Sequence, residues 1–104
     1  MKRIISEAIT PLTGQTYDLI RVGVPQGKAY TLVEIHTFTV AVSLIQLIIL
    51  INGEQVHGWN VTTRNKVYSI NDKLPEGTEI IARLVVTGAQ PGITYVTMVL
   101  DDNE

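Results

Sequence analysis

Turn-forming residues cut most of this chain into pieces too short for most helices. Pro11, Gly14, Pro25-Gln26-Gly27, Asn52-Gly53, Gly58, Asn71-Asp72, Pro75-Glu76-Gly77 and Gly88-Ala89-Gln90-Pro91-Gly92 follow one another along 104 residues. Glycine and asparagine admit positive φ, and proline fixes φ and withholds a donor, so most of these clusters favour a reversal of direction. The stretches between them, about 2–9, 16–24, 29–42, 44–51, 54–61, 64–70, 78–87 and 93–101, show no apolar period of 3.6 residues with caps. They read as strands. Isoleucine, valine and threonine make up 37 of the 104 residues. Such β-branched side chains suit a pleated sheet and lose rotamer freedom in a helix. Seven or eight short strands in one domain over 1–104 predict an all-β fold, a jelly-roll-like or related antiparallel β-sandwich.

Local patterns sharpen this expectation. Asn52-Gly53 supplies the two positive-φ residues of a type I′ turn and predicts a tight hairpin between 47–51 and 54–56. Further on, Thr78, Ile80, Ala82, Leu84 and Val86 share one strand face, and Val96, Met98 and Leu100 share another. The stretch 29–51 is less regular. Val33 and Ile35 put the apolar face on odd positions, whereas Phe38, Val40 and Val42 put it on even ones. That predicts a bulge or bend near His36. A second break is expected near Ser43, because 23 residues far exceed a usual strand. A short helix at 44–51 is the alternative there.

Composition narrows the function classes. There is no cysteine, so neither a disulfide framework nor thiolate chemistry is available. The net charge of -2 favours neither nucleic acid nor an anionic membrane as partner. The uncharged apolar run 37–51, 15 residues ending at the Asn52-Gly53 turn, falls short of the roughly 17–25 that span a bilayer as a helix. No secretion signal is legible at the start, which leaves a virion or the cytoplasm as the expected location.

No constellation of catalytic residues stands out. Ser6, Ser43 and Ser69 lie outside any nucleophile elbow. Glu34 and His36 share a strand face, and His57 and Glu54 are the next potential metal ligands. A metal needs three or four converging groups, so no metal or cofactor is expected. Trp59, beside Gly58 and Asn60, could stack on a sugar or ligand, or could simply pack at the edge of the core. Arg64 and Lys66 share a face with Tyr68, a weak footprint for phosphate.

The remaining feature is the run from Leu44 to Ile51, in which only Gln46 is polar. As a strand it must divide its aliphatic side chains between two faces, and only one face can fill the chain's own core. The other predicts a subunit interface drawn from Leu44, Ile45, Leu47, Ile48, Ile49 and Leu50. A charged content of 17%, against about 25% in typical domains, points the same way. In shape, this helix-free chain is similar to small jelly-roll proteins that build or decorate virus particles. That resemblance implies a non-enzymatic structural subunit, a homo-oligomer (a trimer by analogy), with other particle proteins as further partners. A carbohydrate- or ligand-binding module using Trp59 is the alternative, followed by an accessory domain of an enzyme.

Overall fold

In a computed structural model, residues 1–88 and 92–103 of the chain are described. They form eight strands: β1 (Lys2–Ile9), β2 (Thr16–Gly23), β3 (Tyr30–Phe38), β4 (Ile45–Ile51), β5 (Glu54–Asn60), β6 (Asn65–Leu74), β7 (Glu79–Val86) and β8 (Thr94–Asp101). No helix is present among the described residues, and none is therefore long and apolar enough to cross a membrane.

The pairing follows a single rule. β1 pairs with β8, β2 with β7, β3 with β6 and β4 with β5, all antiparallel. The chain is thus one long antiparallel ribbon that turns back on itself at Asn52-Gly53. Rolling the ribbon brings β3 beside β8 and β4 beside β7. Two four-stranded sheets result, β1-β8-β3-β6 and β2-β7-β4-β5. This is the jelly-roll order of an eight-stranded sandwich.

The reversal at the ribbon's tip has φ of 51° at Asn52 and 82° at Gly53, as a type I′ turn requires. Asn52 also ties the tip to β7. Its N–H donates to the Glu79 carbonyl at 2.9 Å, and its side-chain oxygen accepts the Glu79 N–H at 2.9 Å.

Alternation along the strands fills the space between the sheets. Ile45, Leu47 and Ile49 of β4, Ile80, Ala82 and Leu84 of β7, and Val96, Met98 and Leu100 of β8 all belong to the core. The segment 44–51 is therefore a strand from Ile45 onward and not a helix. Its preceding turn holds Ser43 at φ 65°, close to where a break was expected.

Expectations for two segments need correction. The change of phase in β3 lies at Val33, not near His36. Val33 is an extra residue between Leu32 and Glu34 in the ladder with β8. After this bulge Ile35, Thr37 and Thr39 point inward, and Phe38 points outward, 39% exposed. The strand also ends at Phe38 rather than at 42, because the Thr39 hydroxyl accepts the Ala41 N–H at 3.0 Å and turns the chain. The second correction concerns Asn71-Asp72, which is not a turn between strands. Asn71, at φ 60°, sits in an irregular part of the β6 ladder, and the strand continues to Leu74. The 88–92 loop falls in part outside the described residues.

Candidate functional site

The densest gathering of chemically capable side chains closes one open side of the sandwich. β5 is the last strand of one sheet and β6 the last of the other. Within β5, Ile49 lies opposite His57 and Leu47 opposite Trp59, so both aromatic rings share the inward face. From β6, Tyr68 comes in nearly buried. The Trp59 and Tyr68 rings stack with centroids 4.5 Å apart, and His57 and Trp59 stack at 5.4 Å with planes within 4°. His57 Nε2 then meets Asp72 Oδ2 at 2.8 Å across the gap between the sheets. The cluster joins the two edge strands with stacked rings and one polar link.

This arrangement was only half legible. His57 and Trp59 stand out in the sequence, but their partners lie on the next strand. Tyr68 reads as a neighbour of Arg64 and Lys66, and Asp72 as a turn residue. The ribbon pairing, which makes β5 and β6 the facing edges, is the signal that unites them. Trp59 is half-buried against the core and its indole is already stacked with two rings of its own chain.

The other expected ligands stay apart. His36 Nε2 and Glu34 Oε2 stand 3.3 Å apart on the outer face of β3, in ion-pair range but without the alignment of a hydrogen bond. Among the described residues, no three His, Asp or Glu side chains converge as a metal site would need.

The run at 44–51 offers less surface than its composition suggests. Ile45, Leu47 and Ile49 are core residues, and Leu50, although on the outer face, is only 6% exposed. Leu44 and Ile48 are half-buried. Leu50 is covered within its own sheet, where it lies beside Ile81, and Ile81 lies beside Arg21. A charged lattice runs over this region. Asp18 accepts from Arg83 at 2.6 and 3.2 Å, and Arg21 reaches Asp18 at 3.6 Å and Glu79 at 3.1 Å. The hydrogen bond from Arg83 chiefly, and the charges of Arg83 and Arg21 beside it, hold the Asp18 carboxyl below its ordinary value. Long arginine stems cover apolar surface while their heads remain in water. Of the expected interface residues, Ile48 and Leu44 are left as partial surface.

Exposed apolar side chains remain instead on the outer face of the other sheet. Tyr95 lies opposite Phe38 in the β3–β8 ladder, and their rings approach to 6.2 Å. Val67 sits two residues along on β6, opposite His36, and Ile4 lies on β1 opposite Val99, with the Ser6–Thr97 pair between it and Tyr95. Ile4, Tyr95, Val67 and Phe38 are 69, 47, 45 and 39% exposed. Sequence reasoning missed this surface because it placed Phe38 on the inward face.

Comparison of the chain with protein-family models, with curated proteins and with solved structures finds no match.

Proposed function

We propose that this chain is a structural assembly subunit, of the kind that builds or decorates a virus particle, and that it works by packing copies of its sandwich together. The observation that carries this reading is the outer face of the β1-β8-β3-β6 sheet, where Ile4, Phe38, Val67 and Tyr95 remain exposed. An apolar side chain left in water forgoes roughly 25 cal/mol for each Å² it could bury. A group of them on one sheet face is the usual mark of a protein contact. Jelly rolls recur in viral capsid domains and in lectins, so the fold alone does not choose between them. The surface favours assembly. A sugar-stacking site wants a free aromatic face, and Trp59 is engaged by His57 and Tyr68.

Association couples stability to concentration. The melting temperature of the wild type should rise over a hundredfold increase in protein concentration. In Tyr95→Lys, which places a charge on the patch and leaves the core alone, the rise should shrink or vanish. A wild-type melting temperature independent of concentration would remove the reading.

A further inference from the structure

The four edges of the two sheets are not alike. β2 carries a bulge between Asp18 and Ile20, β5 is irregular opposite Ile49 and Leu50, and β6 is irregular between Ser69 and Asp72. Such irregularities twist an edge and discourage further pairing. β1 alone runs without interruption, from Lys2 opposite Asp101 to Ile9 opposite Thr94, and contains neither proline nor glycine. No described strand covers its other side.

The phase of its hydrogen bonds is set at its start, where the Asp102 N–H donates to the Met1 carbonyl at 3.0 Å. Backbone groups alternate sides along a strand. Odd-numbered residues of β1 therefore turn their N–H and C=O groups toward β8, and Lys2, Ile4, Ser6 and Ala8 turn theirs outward.

We propose that β1 pairs antiparallel with β1 of a second copy of this chain across a two-fold axis, joining two four-stranded sheets into one of eight strands. The inference rests on the assembly reading above and names its partner and one of its contacts. The sequence of β1, Lys2-Arg3-Ile4-Ile5-Ser6-Glu7-Ala8-Ile9, is complementary to itself in one register. Lys2 lies opposite Ala8 of the second copy and Ile4 opposite Ser6, all with outward backbone groups, which gives about eight hydrogen bonds. Between them, in the closer positions without hydrogen bonds, Arg3 meets Glu7 of the second copy, Ile5 meets its own counterpart, and Glu7 meets Arg3. Opposite charges thus face each other twice where side chains approach nearest. Arg3 and Glu7 are exposed, and Glu7 has no ion-pair partner within the described residues. Sliding the copies by two residues either way would set Arg3 against Ile5 or Ile9 and shorten the ladder. A closed two-fold contact also uses up the edge in both copies at once. The joined sheet carries both Phe38–Tyr95 pairs on one continuous outer face.

The charges allow a complementation test by light scattering. Arg3→Glu places Glu against Glu7 twice, and Glu7→Arg places Arg against Arg3 twice. Each variant alone should dimerise on the order of tenfold more weakly than the wild type. An equal mixture should recover the association, because every facing pair is again of opposite sign. Since Arg3 also lies 3.4 Å from Asp102, a second measurement does not depend on that variant. The chain has no cysteine, so Ile5→Cys introduces one thiol. Facing residues at such a position are about 4.5 Å apart, within disulfide range, whereas Ile4→Cys would stand too far from its counterpart. Oxidation should cross-link Ile5→Cys and leave Ile4→Cys single. A wild type that associates while both charge variants associate equally well, or while their mixture shows no recovery and Ile5→Cys fails to cross-link, would overturn this pairing and leave the assembly reading standing. A wild type that remains single at every concentration would overturn both.

Discussion

Thr37, near the end of β3, and Thr39, just beyond it, are the same residue type and both turn inward, yet they are in opposite situations. Thr39 is fully buried and satisfied: its hydroxyl lies 2.8 Å from that of Thr94 and accepts the Ala41 N–H. Thr37 is 2% exposed, and its hydroxyl has no hydrogen-bond partner among the described residues. Burying an unpaired hydroxyl is costly, whereas removing one partner of a buried bond strands the other. Thr37→Val should therefore stabilise the domain by about 1 kcal/mol, and Thr39→Val should destabilise it by about 1–3 kcal/mol. Chemical denaturation of the two variants beside the wild type checks both signs. None of this was legible in the sequence, where both threonines stand opposite an apparent apolar face of Phe38, Val40 and Val42. A single extra residue at Val33 reverses which side is inside, and a pattern of alternation carries no mark of that.

At the scale of elements, the strands were readable and their irregularities were not. Asn52-Gly53 announced its hairpin because the two positive φ values it needs have few other sources. β7 and β8 were readable because their inward rows, Ile80-Ala82-Leu84-Val86 and Val96-Met98-Leu100, keep one phase along the whole strand. The extension of β6 through Asn71-Asp72 escaped notice, since asparagine serves an irregular ladder and a turn equally well. Between β2 and β7, the Asp18–Arg83 pair gives a pH dependence with a definite sign. A carboxyl held below its ordinary value of 3.8 contributes in full above that value and loses its contribution as pH falls through the lower, folded value. The pair is on the surface, so its worth near neutral pH is less than about 1 kcal/mol. Asp18→Asn should cost that small amount at pH 7, and the difference from wild type should close as pH falls below about 4. Denaturation midpoints of both proteins between pH 7 and 2 measure it, and a gap that widens toward acid would show that Asp18 is not held by its arginines.

The whole molecule is a ribbon rolled into two sheets, and its unlike edges and faces suggest how copies would meet. One open side is closed by His57, Trp59, Tyr68 and Asp72. One outer face is covered by arginine and carboxylate side chains, and the other leaves aromatic and aliphatic groups in water. Low charge and the aliphatic run at 44–51 pointed to association from the sequence, but that run is mostly core. The apolar surface that remains lies on the opposite sheet, a difference that only the strand order reveals. The expectation of three copies came from resemblance in shape, whereas an unbroken, self-complementary edge on β1 argues for a two-fold contact. Sedimentation equilibrium of the unmodified chain, from micromolar to near millimolar concentration, tests the central claim most directly. The account predicts a reversible rise from the 11.5 kDa of one chain to at least twice that mass. A single species at 11.5 kDa over the whole range would contradict it.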